Sequence, residues 1–390
     1  MRHKGAASVR VLTVGGEIEV RRRYFWSKAT GGIYPADESL GIHDGRVSPG
    51  ARELCCLMGM AQDFAQAAQD LRRCSGLRVS KERLRQITER TGKDAARLRE
   101  EGSLPPCWSP REAKVEGKSS TRVYVGVDGV MVRTVTEEEK NKRRQDHAIR
   151  RRQRGRAGLK NQRMLPPRRA GSDDRFKEMK VGFFYDQSNT RKYAFATEGN
   201  HETCGVLLAR QAAALGLHQA DEVLSLTDGS PWIRNQILQH LQPMTAMLLD
   251  FYHLSEHVFA AARACWGDSA EAKAWAEARL HDLKHIGPRT LLAAVDDAKK
   301  RLRAPARQNA LRLVRQYVVD RWEMVDYPTA LAHGWDIGSG PTEAMCKNLT
   351  LRLKRPGMKW DTDNAASIMN LVSLRESDQW PEYWKNQKAA

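Results

Sequence analysis

The chain has no apolar run approaching the ~18 residues that cross a bilayer. Its opening stretch, MRHKGAASVRVLTVGGE, carries basic residues but no apolar signal core. Both absences argue against a membrane protein. Paired cysteines are missing too: the seven, at 55, 56, 74, 107, 204, 265 and 346, are odd in number, scattered and without a CxxC. That disfavours a disulfide framework and a cysteine zinc site, and it points to reduced thiols in a cytosol. Acids are nearly absent from one segment. Between Lys140 and Arg169 thirteen Lys or Arg face a single acid, Asp146, which supplies +12 of the chain's +18.

What is present suffices to fold. The 390 residues, 41% of them hydrophobic, allow two or three domains and at least one full core. A charge of +18 concentrates polyanions, and without a membrane segment the favoured partner is nucleic acid. The basic stretch lacks apolar periodicity and ends in Pro-Pro, so 140–172 reads as a mobile basic loop, with Arg143, Arg144, Arg150, Arg151 and Arg152 facing phosphates.

Residues 1–48 read as short strands followed by an extended stretch. Helical spacing sets in at Pro49 and runs to Gly76; Ser80 then caps a second, basic helix with a break near Gly92. This layout within 49–104 suits a helix-turn-helix, with Lys81, Arg83, Arg85 and Arg90 available to DNA, and equally suits two ordinary packed helices. Residues 105–120 resemble a linker. Next come strand candidates at 122–135, 179–186, 192–198, 222–227 and 244–250, with helices at 201–215 and 231–241. Three strands followed by helix-strand alternation predict a mixed five-stranded α/β sheet with an antiparallel side. The stretch 254–335 is helical throughout, a final helix starts near Pro341 and stops at Pro356-Gly357, and 376–390 is a tail.

The acids carry the chemistry. Asp128 sits inside VYVGVDGVMV, where Asp-Gly is either a two-residue hairpin turn, with Val127 facing Val130, or part of one continuous buried strand. Asp228 and Asp250 end the fourth and fifth strands, and acids at strand ends of a parallel-type sheet converge. Each also has a plain reading: Asp228 as a cap before Pro231, Asp250 as a polar strand end, Glu343 as an ion-pair partner of Lys347. Taken together, Asp, Asp and Glu are hard oxygen ligands suited to two Mg²⁺ ions. A carboxylate within an apolar strand is costly unless a cation compensates it, which favours the continuous strand for Asp128 and gives Gly129 a reason, close approach beside a metal site. The residues alone leave Asp250 and Asp336 open as ligands.

The set VDG at 127–129, LTDGSPWI at 226–233, DFYHLSEH at 250–257 and IGSGPTEAMCKNLTLRLKRPGMKW at 337–360 resembles the DDE transposases of the bacterial Kra-type insertion sequences, over about residues 10–375. The resemblance implies an RNase H-like catalytic domain (121–253 and 336–375) holding a helical insertion (254–335). It assigns catalysis and metal binding to Asp128, Asp228 and Glu343, with Asp250 and His253 as a supporting D-x-x-H pair. Relatives carry paired cysteines where this chain has RYFWSKATGG, so no zinc role is expected there. Implied partners are the element's terminal inverted repeats and target DNA, bound by a homo-oligomer on the nucleoid, with Mn²⁺ able to replace Mg²⁺. Lys347, Arg352, Lys354 and Arg355 on the last helix would hold phosphates, while Trp232, Trp335 and Trp360 either stack on a base or, as tryptophans mostly do, pack in the core. Two rival functions are a catalytically silent, transposase-derived DNA-binding regulator and a structure-selective nuclease without strand transfer.

Overall fold

The computed structural model describes residues 1–42, 46–153 and 170–389. The chain opens with β1 (Arg2–Thr13), β2 (Gly16–Ser27) and β3 (Gly31–Ile33), an antiparallel three-stranded sheet, followed by α1 (Pro35–Ser39). Alternation in β1 turns Val9 and Val11 inward against Ile42.

Three helices follow where the periodicity predicts two. The first stretch divides into α2 (Pro49–Ala61) and α3 (Phe64–Ser75), because Asp63 adopts extended backbone and its carboxylate accepts the N–H groups of Ala65 and Gln66. Ser80 caps α4 (Lys81–Glu100), which passes straight through the expected break at Gly92. Residues 105–120 are packed rather than free: Trp108, Ala113 and Val115 are buried.

The second sheet begins with β4 (Arg122–Arg133), one continuous strand and not a hairpin: Val127 faces Gly182 and Val130 faces Met179 across the antiparallel partner. After it comes α5 (Glu137–Gln153), a correction to the loop expected from residue 140. This helix buries nothing and rests on local electrostatics, with Glu137, Glu138 and Glu139 at its N-terminus and Arg150, Arg151 and Arg152 at its C-terminus. Its first turn is tied down by Glu139–Lys359 and Lys140–Asp361. The remainder of the basic segment, 154–169, lies outside the described residues.

The chain continues through β5 (Phe176–Asp186), β6 (Lys192–Thr197), α6 (His201–Leu215), β7 (Glu222–Thr227), α7 (Pro231–His240) and β8 (Ala246–Leu249). Strand order is β6-β5-β4-β7-β8, antiparallel across β6, β5 and β4 and parallel across β4, β7 and β8, the mixed five-stranded sheet expected. Then come α8 (Phe251–Trp266), α9 (Ala270–His285), α10 (Pro288–Arg301), α11 (Pro305–Val319) and α12 (Tyr327–His333). The helix expected last is α13 (Gly340–Thr350), which ends before Pro356; α14 (Thr362–Glu376) and α15 (Trp380–Ala389) follow it. Every residue of α14 from Asn364 to Leu374 is buried, the polar Asn364, Ser367, Asn370 and Ser373 among them, so its polar positions do not mark a solvent face. The expected tail is thus helical and buries Tyr383 and Trp384. One apolar cluster joins α2, α4, α8–α14 and one face of the sheet, and a second lies under α6 and α7 on the other face. Among the described residues no helix is long and apolar enough to cross a membrane, and all seven cysteines are free thiols.

Candidate active site

Two strands lead to the first two acids. Along the parallel pair, Arg122 faces Glu222 and Val125 faces Ser225; both strands then run on toward the acids, and the charge of Asp228, just past the end of β7, acts on Asp128. Side chains of β4 alternate: Val123, Val125 and Val127 enter the cluster under α6 and α7, while Tyr124, Val130 and Val132 enter the other. Asp128 shares the face of Tyr124. Gly129 therefore points away from it, and a Cβ there would meet the Glu178 side chain, so the glycine answers to a cross-strand neighbour and not to the site.

Helix α13 crosses the Asp128 face. It can do so because residue 126 is glycine: a Cβ there would lie 2.0 Å from the Thr342 hydroxyl oxygen. One turn beyond Thr342 the buried thiol of Cys346 lies close enough to Asp128 to lower its pKa. Glu343, exposed at the helix start, is close enough for its charge to act on Asp128. Cys346 was not singled out in the sequence, although its i+3 spacing from Glu343 puts both on one side of the helix.

The segment leading into α13 is strapped across the sheet. The buried Arg122 guanidinium binds Glu222 at 2.6 Å and donates to the carbonyls of His333 and Gly334. Further along, the Tyr124 hydroxyl oxygen accepts from the Asp336 amide at 3.0 Å, and Phe251 N–H donates to Ile337. Asp336, held by Tyr124 and raised in pKa by burial, belongs to this strap and is not gathered with the other acids. Asp250 ends it. Only 2% exposed, its carboxylate caps α8 by accepting His253 N–H at 2.7 Å and binds both the N–H and the hydroxyl of Ser339, whose oxygen lies 3.4 Å from Glu343. We expect Asp250→Ala to cost about 3 kcal/mol, since several buried donors lose their acceptor at ~1–3 kcal/mol each. Urea denaturation checks this, and a cost below about 0.5 kcal/mol, the surface-substitution range, would contradict it.

The helical insertion holds the Asp228 loop from outside. Tyr317 on α11 donates to the Asp228 carbonyl at 2.8 Å, and Arg321 just beyond it donates to the Gly229 carbonyl at 3.0 Å. Gly229 has φ +73°, a left-handed turn that favours glycine and leaves room for Arg321. The Arg321 guanidinium sits 3.9 Å over the Tyr317 ring, which stacks at 4.1 Å on His257, and His253 packs against His257. Burial, then His253 and Arg321, push the His257 pKa down, so it is neutral over more of the physiological range. Nothing local in the sequence links residues 317 and 321 to 228.

The electrostatics are those of crowded carboxylates. Burial raises the Asp128 pKa, the negative charges of Asp228 and Glu343 raise it further, and the Gly129 N–H and Cys346 thiol oppose this. Burial and the Asp128 charge in turn push the Cys346 thiol up. Among the described residues no three His, Cys, Asp or Glu side chains are grouped so as to hold a metal ion. Asp228 and Glu343 are within electrostatic reach of Asp128, without a closed ligand set among the described residues. The donor set fits hard divalent cations: oxygen ligands only, a half-buried carboxylate whose charge is disfavoured, and an exposed glutamate at the helix start.

The candidate DNA contacts divide. Arg143, Arg150 and Arg152 are exposed on α5, with Arg144 and Arg151 on the same helix. Arg85, by contrast, is bound to Glu82 and Glu89, and Arg83 donates to the Arg46 carbonyl. Helix α4 is wedged against α2 and α14, so Leu84, Ile87, Thr88, Thr91 and Ala95 are buried, and Lys81 is exposed at its start. Lys347 is exposed on α13, while Lys354 and Arg355 lie beyond its end. Arg352 corrects the sequence reading: it is 3% exposed, buried against the wall of a cavity rather than presented on the surface. Trp360 is buried and donates to Leu353, Trp335 donates to Glu222, and half-buried Trp232 carries Lys180 over its ring. All three are engaged with the protein.

Residues 2–200, just over half of the chain, match an uncharacterised protein family (UPF0236). The chain belongs to this family. The UPF0236 match spans both sheets' opening strands and Asp128, and it ends before Asp228, Asp250 and Glu343. No curated protein matches the chain.

Proposed function

We propose that this protein is a DDE transposase with an RNase H-like catalytic domain, a polynucleotidyl transferase that cuts DNA at element ends and joins the freed 3′-hydroxyl to a target strand. The observation that carries the reading is that the charges of Asp228, just past the end of the parallel neighbour β7, and of Glu343, on the helix crossing the Asp128 face, both act on Asp128 of β4. Further support comes from the strand order, three antiparallel then parallel, and from the five helices α8–α12 lying between the second and last acid.

Asp128, Asp228 and Glu343 would hold two Mg²⁺ ions, which supply an activated oxygen nucleophile and neutralise charge at the scissile phosphate. Asp250 and Ser339 fix the start of α13 and so the position of Glu343. Tyr317 and Arg321 fix the backbone immediately after the Asp228 side chain. The exposed arginines of α5 bind duplex phosphates, which makes DNA affinity fall steeply with salt. Pairing of two element ends calls for a homo-oligomer on DNA.

The open arrangement of the acids favours a second reading, a DNA-binding relative without catalysis. Incubation with DNA carrying the element's ends, in Mg²⁺ and in chelator, separates the two. Metal-dependent nicking supports the transposase, and binding without nicking supports the regulator. Joining of pre-cut ends to a target distinguishes transposition from simple nuclease action.

A further inference from the structure

A cavity of about 340 Å³ opens between α3, α4, the first turns of α5 and the 358–364 segment. That volume falls within the ~300–1,000 Å³ of small-molecule sites. Its wall includes Trp360, which bridges to Thr134, six residues along β4 from Asp128 and so about 20 Å away at ~3.3 Å per residue. It is a different place from the carboxylate site.

One wall residue is poorly satisfied. Arg352 is 3% exposed, donates through Nε to the Gly59 carbonyl at 3.2 Å, and has its guanidinium 4.9 Å from the Phe64 ring centre and 5.0 Å from that of Trp360. Its Nη1 is buried with no hydrogen-bond partner, which is costly for a charged donor. Burial and then Arg355 push its pKa down to about 10, so it remains a cation at neutral pH. The acids of the cavity are committed elsewhere: Asp63 caps α3, Glu89 is bound to Arg85, and Asp361 is bound to Lys140. Arg143 adds a further cation at the rim.

We propose that this cavity is an anion site for a nucleotide phosphate, with Arg352 as its buried anchor and Arg143 as its entrance cation. Guanidinium forks match phosphate oxygens, and Arg352 lines the cavity with its guanidinium packed against the Phe64 and Trp360 rings, which meet edge-to-face. The phosphate comes either from a free mononucleotide or from a nucleic-acid strand. The site stands independently of catalysis at Asp128.

Calorimetric titration with adenosine 5′-monophosphate, with adenosine and with a short single-stranded oligonucleotide tests this on wild type, Arg143→Ala, Arg352→Met and Lys273→Ala, the last an exposed cation outside the cavity. Adenosine should not bind. Arg143→Ala should weaken the phosphate ligand about tenfold, roughly 1.4 kcal/mol, and Arg352→Met should abolish binding, while Lys273→Ala should leave it unchanged. Loss seen with the monophosphate identifies a free-nucleotide site; loss seen only with the oligonucleotide identifies a strand phosphate in the cavity when it exceeds that of Arg150→Ala, an exposed α5 arginine outside the cavity, and overturns the proposal when it does not. Asp128→Asn should bind the probe like wild type, so failure of the catalytic reading is read separately. If Arg352→Met does not fold, Arg143→Ala decides. Equal binding by Arg143→Ala and Lys273→Ala, or binding of adenosine as tight as that of its monophosphate, would overturn the proposal.

Discussion

Asp228→Ala should yield a folded protein that holds DNA about as tightly as wild type and does not cleave it. The side chain is half-buried at the mouth of the β7–α7 turn, and its Oδ1 accepts only the Ser230 N–H. The loop keeps its other restraints, Tyr317 on the Asp228 carbonyl and Arg321 on Gly229, because both grip backbone. The loss therefore falls on chemistry. A carboxylate that helps hold a catalytic cation contributes several kcal/mol to the transition state, and at ~1.4 kcal/mol per decade the cleavage rate should fall at least ~10³-fold. Rates of nicking and DNA affinity, measured side by side, check this. Cleavage retained within tenfold of wild type would remove Asp228 from the mechanism.

Gly92→Ala should be among the most damaging single-methyl changes in the chain. At an exposed helical position the same substitution gains about 1 kcal/mol. Here α4 runs against α14, and the new Cβ would lie 2.0 Å from the Ser367 carbonyl oxygen and 2.6 Å from its carbon. Both obstacles are backbone, so no side chain can swing aside. The two helices must separate, and with them the Lys93–Asp363 pair and the buried Arg99, which binds Ser373 and Gln379. Overpacking of this kind costs ~1–3 kcal/mol and sometimes more, and we expect about 3 kcal/mol net of the propensity gain. Urea denaturation of the two proteins measures it. A neutral or stabilised variant would show that α4 and α14 are not in contact at this point.

The features legible in the sequence are those with a local signature. Apolar-rich runs mark β4, β5 and β7, Pro231 and Gly216 mark helix ends, and the five strands fall close to where the pattern puts them. Asp128, Asp228 and Glu343 stand out because a carboxylate in an apolar strand, before a glycine turn or at a helix start needs a reason. The misses have physical causes. Helix α14 is buried on every side, its polar Asn364, Ser367, Asn370 and Ser373 included, and α5 is polar nearly all round, so neither shows a solvent-facing and a core-facing stripe. Gly92 looks like a break until its neighbour Ser367, far along the chain, is known. Arg352 looks like surface charge because its partners, Gly59, Phe64 and Trp360, come from distant segments. Tyr317 and Arg321 reach Asp228 only through the packing of α11.

The central claim is that Asp128, Asp228 and Glu343 act as one cation-binding site. Thermal melting of wild type and Asp128→Asn, each with and without Mg²⁺ and at acid and neutral pH, tests it most directly. Because the folded state raises the Asp128 pKa, the charged carboxylate costs stability once pH rises above the ordinary carboxylate range, and that cost vanishes at acid pH where Asp128 is protonated whether folded or not. Asp128→Asn should accordingly melt higher than wild type at neutral pH and alike at acid pH, and Mg²⁺ should raise the wild-type midpoint at neutral pH but not that of the variant. An equal Mg²⁺ response in the two proteins, or none in wild type at millimolar Mg²⁺, would contradict the account.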